Sequence, residues 1–334
     1  MLLDVQLDAR PDAAADRARE LVAAGVAGVF TFEGPHDVFL PLAAAAAAVE
    51  TDLMTNVAIA IPRSPMHLAH TAYDLQLMSK GRFRLGLGSQ IRPHIEHRYG
   101  ATWSRPVAQM AETVQAVKAI LASWQHGHRL DFRGEFTRHT LMPPTFVPGP
   151  NPYGVPPVLL GALGPLMTRT AAEVADGLLV MPFNSHRHFR ERTLPAVDAG
   201  LEAAGRTREG FAVLPQAIVA MGRTDAELAQ ASVGVRGLLA FYGSTPAYRP
   251  VLDVEGWADV QPELNRLSEE DDWAGMLGLV TDEMLETLAV RGTPEECAAE
   301  IERRFGDVAD RVCAYFPGYD APLDQVRDLA AALR

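Results

Sequence analysis

The sequence predicts an α/β protein: a (β/α)8 TIM barrel with insertions. Three observations carry that prediction. Eight short apolar runs, at 2–7, 28–32, 53–61, 83–88, 157–161, 177–181, 211–219 and 311–316, alternate with longer helical patterns. Several of these runs, such as "PVLL" and "GLLV", are continuously apolar, as strands covered on both faces must be. The length of 334 residues suits one barrel. A chain of this size buries roughly 75% of its unfolded surface and needs no staples. A doubly wound sheet is the alternative, and it would show a single switch point and fewer strands.

The elements follow in order. "LLDVQL" reads as the first strand and 12–24 as its return helix. After "GVFTF" comes a helix at 38–49, mostly alanine, able to pack close on a sheet. "LMTNVAIAI" is the third strand, 65–79 its helix, "FRLGLG" the fourth strand and 105–124 the next helix. Residues 126–156 hold "MPPTFVPGPNPYGVPP" and read as an excursion before strand five. Helices at 164–175, 187–204 and 224–241 alternate with strands five to seven. The stretch 242–292 is a second insertion, helical and moderately apolar. Thr293-Pro294-Glu295-Glu296 then opens a helix with a cap residue, proline in the first turn and acids near the positive end of the dipole. Strand eight and a helix at 322–333 complete the barrel. No repeat or linker interrupts 1–334, so one domain is expected.

Composition narrows the function. A net charge of −12 repels phosphate backbones, so nucleic acid is not an expected partner. The start, "MLLDVQLDARPD", reads as a strand, with no basic region before an apolar block, so no signal peptide is expected. The alanine run at 41–50 is far too short to span a bilayer, and no membrane association is expected. Cys297 and Cys313 read as buried free thiols, a sparse usage that suits a reducing cytoplasm. His67/His70, His94/His97, His126/His128 and His186/His188 are paired in sequence. None forms H-E-x-x-H or finds a clear carboxylate partner, so no metal is expected. No nucleophile elbow and no Walker motif is present.

Chemistry in a barrel sits at the C-terminal ends of the strands. The fourth strand ends in Gly86 and Gly88, followed by Ser89 and Gln90. A dinucleotide fingerprint needs a third glycine where Ile91 stands, so that reading fails. Small residues here let a flat group approach the backbone, and a merely softened strand accounts for them equally well. "GALGPLMTRT" ends strand five and opens a helix at Gly164-Pro165. Helix amides attract phosphate, with Thr168 and Arg169 a turn away; a plain βα turn is the alternative. "EGPHDVF" places Glu33 and His36 at the mouth as acid or base. Pro62 and Pro65 bracket Arg63, which reads as facing a phosphate or carboxylate or as part of a rigid turn. His94, after Pro93, reads as a pocket donor.

The run "SPMHLAHTAYDLQLMSKGRFRLGLGSQ" (64–90) resembles the hallmark segment of the luciferase-like monooxygenase superfamily, where S-x-G-R leads straight into a strand F-x-L-G-x-G. "GALGPLMTRTAAEVADGLLV" resembles that superfamily's cofactor-phosphate segment, and "RGTPEECAAEIERRF" its last helix. "FTFEGPHDVFLPLA", "IPRSPMHLAHTAYDLQ", "IRPHIEHRYG" and "LDFRGEFTRHTLMPP" resemble the branch assigned to the deazaflavin coenzyme F420. The resemblance implies a luciferase-like barrel with F420 at its mouth, and hydride transfer to or from a small organic substrate. An FMN-dependent monooxygenase fed by a separate reductase is the alternative, and a non-catalytic accessory barrel the second. It implies a non-proline cis peptide at Asn56–Val57 behind the cofactor ring. Gly88, Ser89 and Gln90 would line the ring or ribityl chain. Ala162, Leu163 and Gly164 would cradle the side chain and phosphate. His36, Glu33 and His94, in that order, would handle the proton. The carboxylate that follows these glycines in some deazaflavin dehydrogenases is replaced by Gln90 or Ile91, against a sugar-phosphate substrate. The resemblance also implies a homodimer through helices beside strands one to four.

Overall fold

The computed structural model describes residues 1–334. Its strands are β1 Leu2–Gln6, β2 Gly28–Thr31, β3 Asp52–Thr55, β4 Ala58–Ile59, β5 Phe83–Gly88, β6 Phe132–Arg133, β7 Arg138–His139, β8 Val158–Ala162, β9 Gly177–Val180, β10 Ala212–Leu214, β11 Gln216–Met221, β12 Val290–Gly292 and β13 Arg311–Tyr315. The main sheet is parallel throughout and runs β10-β9-β8-β5-β3-β2-β1-β13-β11-β12. β10 and β11 are halves of one extended run parted by Pro215, which has no N–H to give a ladder. The first half pairs with β9 and the second with β13, so the sheet curls back on itself as a (β/α)8-type barrel. The Pro215 carbonyl still accepts from the Cys313 N–H at 3.0 Å.

Side chains alternate across the strands, and the two faces differ. Val5, Val29, Leu53, Leu85, Leu87, Val158, Leu160, Leu178 and Val312 face the helices in the main core. Phe30, Met54, Leu159, Leu179, Leu214 and Cys313 point inward and plug the barrel. Below this plug lies a buried ion cluster. Arg311 donates to the carboxylates of Asp4 and Asp52, and Arg84 reaches Asp52 at 3.1 Å. Gly28 is required there, because a Cβ would collide with the Asp4 carboxylate and the Arg311 guanidinium. Burial raises the Asp4 carboxyl above the ordinary range although Arg311 pulls it down.

The structure departs from the sequence reading in four places. The run 53–61 is two strands, broken at Asn56–Val57. The run 211–219 is broken at Pro215 and continues to Met221. The excursion after helix Pro106–His126 carries a small antiparallel hairpin, β6–β7, pinned because the Glu112 carboxylate accepts from the amides of Glu135, Phe136 and Thr137 at 2.6–2.8 Å. The second insertion holds four short helices, Arg249–Glu255, Val260–Glu269, Trp273–Leu279 and Asp282–Leu288, and ends in β12. With helix Asp225–Ser244 they bury Leu239, Val251, Leu252, Leu264, Met276 and Leu285 in a second core beside the barrel.

The Thr293 cap closes a full capping box with Glu296. Both cysteines are buried and free; burial pushes the Cys297 thiol up to about 12 and the Cys313 thiol well above its usual value. No helix is long and apolar enough to cross a membrane.

Candidate active site

The barrel mouth is shaped first by the break between β3 and β4. The Asn56–Val57 peptide is cis. Val57 lies where a side chain on Gly88 would be, and a Cβ on Gly161 would come within 3.0 Å of it. A Cβ on Gly86 would strike the Thr55 carbonyl and Leu179. This corrects the sequence reading: the glycines make room for the protein's own Val57 and Thr55, not directly for a ligand. Thr55 locks the arrangement, its hydroxyl donating to the Gly86 carbonyl at 2.8 Å and accepting the Gly86 N–H at 2.9 Å. Asn56 is buried, and its amide, sealed from solvent beside the Cys313 thiol, has no other polar partner. A sealed amide so sparsely satisfied costs free energy.

Ser89 and Gln90 follow at the end of β5, half-buried. Gln90 takes φ +61°, the left-handed region that ordinary residues avoid. Its side-chain carbonyl accepts from the Ile91 N–H at 3.0 Å, and Ser89 donates to the Gln90 carbonyl at 3.1 Å. Both side chains are folded onto their own turn, with the Gln90 NH2 group unbonded.

Glu33 is a hub at the rim, with its side chain 7% exposed. One oxygen accepts from the Ile59 N–H at 2.8 Å and from Arg63 at 2.5 Å; the other accepts from the Tyr99 hydroxyl at 2.8 Å. Burial and this carboxylate push the Tyr99 phenol up to about 12. Glu33 thus ties the end of β2 to β4 and to the loop after β5. Arg63 also donates to the Ile59 carbonyl at 2.7 Å, so it is a structural partner and not the free anion receptor the sequence suggested.

His36 is exposed and lines a cavity of about 50 Å³ with Gln6, Asp8, Thr31 and Phe32, between the ends of β1 and β2. His94 opens the wide helical turn His94–Arg98 after β5, and its Nδ1 is sealed without a partner. No cluster of metal-ligating side chains forms.

Beyond β8, Ala162 and Leu163 are buried and Gly164 caps helix Pro165–Val174 with no side chain bonded to its first amides. Nothing stands within 4 Å of a Cβ built on Gly164, so this helix start is open. Thr168 is fully buried, with its hydroxyl unpartnered. Arg169 pairs along the helix with Glu173 at 2.8 Å, away from the role suggested for it. Sequence reasoning missed Asp8, Tyr99 and Tyr315. The alternation Arg311, Cys313, Tyr315 on β13 was the available signal, since its first two members point inward.

Residues 3–311 match the model of the luciferase-like monooxygenase family. The chain belongs to that family. The uncharacterized protein Rv1360 of Mycobacterium tuberculosis is 47% identical to this luciferase-like chain over 304 residues, covering 91% of this chain and 89% of that one. A 5,10-methylenetetrahydromethanopterin reductase of Archaeoglobus fulgidus is 30% identical over 245 residues, covering 71% and 68%. The coenzyme F420 dependent tetrahydromethanopterin reductase structure from Methanopyrus kandleri superimposes with a TM-score of 0.80 at 19% identity, over 99% of this chain and 96% of that one. That likeness establishes the luciferase-like fold. A Baeyer-Villiger monooxygenase of Pseudomonas putida in complex with FMN shares that fold, with a TM-score of 0.67 at 15% identity over 99% of this chain and 96% of that one.

Proposed function

We propose that this luciferase-like chain is an F420-dependent oxidoreductase that moves a hydride between the deazaflavin ring and a small organic substrate. The observation that carries the reading is the mouth itself. Val57 lies across Gly88 and Gly161 as an apolar shelf at the strand ends. The face of a planar ring fits that shelf. The 29% identity over 294 residues with the Mycobacterium tuberculosis protein named putative coenzyme F420-dependent oxidoreductase Rv3520c supports F420 over FMN. When bound, the deazaflavin supplies the two-electron chemistry.

The chain's own groups do the rest. Ser89 and Gln90 hold the turn beside the shelf. Ala162, Leu163 and the open helix start at Gly164 would hold the side chain and phosphate through helix amides and dipole. Exposed His36 is a group free to move a proton. Glu33, fully engaged, acts as a positioning residue.

Parallel fluorescence titrations with oxidised F420 and with FMN test this. F420 is expected to bind more tightly by at least about tenfold, or roughly 1.4 kcal/mol. Tighter FMN binding would replace the reading with the monooxygenase one, and binding of neither would favour an accessory barrel.

A further inference from the structure

We infer that the substrate is an uncharged molecule bearing a hydroxyl or carbonyl group, seated on the phenols of Tyr242, Tyr248 and Tyr315 beside Asp8. The inference rests on the hydride-transfer reading above and names the substrate class for that site.

Tyr315 ends β13, and its ring meets Phe32 edge-on at 6.2 Å. Phe32 lines the same cavity as Asp8 and His36. Tyr242 lies on helix Asp225–Ser244, and Tyr248 closes the short turn Pro246–Tyr248. Their rings stand 5.9 Å apart, and each packs on Phe183, at 6.0 Å and 6.2 Å. Phe183 is fully buried in the loop after β9. The phenols therefore come from three elements and are held by stacking, with little freedom to turn away.

Their hydroxyls differ from those of the other buried tyrosines. Tyr73 donates to Gln125 and the Gly149 carbonyl, Tyr99 to Glu33, and Tyr319 to the Val219 carbonyl. Tyr242, Tyr248 and Tyr315 have no protein partner, and their oxygens are not sealed from solvent. Phenols whose rings are packed while their hydroxyls stay unengaged and open to solvent offer donors and acceptors to a ligand with matching polar atoms. They also sense one another. Beyond burial, Tyr315 and Tyr248 oppose ionisation of Tyr242, and Asp8 opposes that of Tyr315.

Charge selects the ligand class. Asp8 has neither an ion-pair partner nor a hydrogen bond. Arg63 is taken by Glu33, and Arg98 is turned onto the Tyr99 ring at 5.1 Å and the Gly34 carbonyl at 2.9 Å. A carboxylate or phosphate entering here would meet a free anion and no free guanidinium. Phenol hydroxyls both donate and accept, which suits an alcohol or a ketone. In the oxidising direction the carbinol C–H bond breaks and its hydride passes to oxidised F420. The hydroxyl proton leaves to Asp8 or His36 and then solvent, and a carbonyl forms.

The test uses the full chain, with and without F420, and two probes of similar size: cyclohexanone and cyclohexanecarboxylate. Binding is read by saturation-transfer NMR, independent of turnover. Cyclohexanone is expected to bind and the carboxylate not. Tyr242→Phe and Tyr315→Phe, which keep the rings and their stacking, are each expected to weaken cyclohexanone about fivefold, the loss of one neutral hydrogen bond. F420 affinity should stay unchanged, which separates this claim from the cofactor reading. Preference for the carboxylate, phenylalanine variants that bind as before, or no binding of cyclohexanone to either form overturns the inference.

Discussion

Arg311→Met is expected to lower the unfolding free energy by about 3–5 kcal/mol. The guanidinium bridges Asp4 and Asp52 inside the lower barrel, and its side chain is only 11% exposed. Methionine fills similar volume but leaves the Asp4 carboxylate, 3% exposed, without its donor. Arg84 still holds Asp52 at 3.1 Å and acts on Asp4 only through space. The sign of the pH dependence follows. Asp4 already titrates above its ordinary value when folded, so the folded state binds its proton more tightly than the unfolded state. Stability linked to that proton is present at low pH and is lost as pH rises. Removing Arg311 raises the folded value further, so the variant should suffer more at about pH 7 than at about pH 5. Urea melts at the two pH values check this. An equal loss at both would mean that the arginine acts by packing alone.

Gly88→Trp should abolish cofactor binding, weakening F420 by on the order of a hundredfold or more, about 2.7 kcal/mol. Gly88 has no room above it, because Val57 already occupies the place of its first side-chain atom. An indole must push Val57 off its shelf and stand in the mouth. Overpacking at a strand end costs roughly 1–3 kcal/mol of stability, which a barrel of this size tolerates. The fluorescence titration reads the effect, and far-ultraviolet circular dichroism confirms that the barrel persists. A folded variant that still binds F420 as tightly as the parent would place the ring somewhere else.

Much of the barrel was legible because parallel strands covered on both faces must be apolar throughout. That same feature hid the breaks. In "LMTNVAIAI" the apolar pattern runs through Asn56–Val57, although the chain pairs with β5 in two separate pieces. Pro215 sits inside an apolar run and marks where one strand changes partners, which only the closed sheet reveals. β12 is three residues with an exposed arginine at its centre, too short for any pattern. At the site, Glu33 was visible as a mouth residue. Its bond to Arg63 spans a separation of 30 positions, so the sequence alone reads Glu33 as an acid or base and Arg63 as an anion receptor or part of a rigid turn. The glycines were found but assigned to the wrong neighbour. Tyr242 and Tyr248 belong to separate elements, and only the folded chain brings their rings to 5.9 Å from each other.

A crystal structure of the full chain with oxidised F420 tests the central claim most directly. The deazaflavin ring is expected to lie across the mouth against Val57, over Gly88 and Gly161, with its phosphate at the Gly164 helix start. A ring bound outside the strand ends, with Val57 uncovered and the Gly164 helix start empty, would contradict the account.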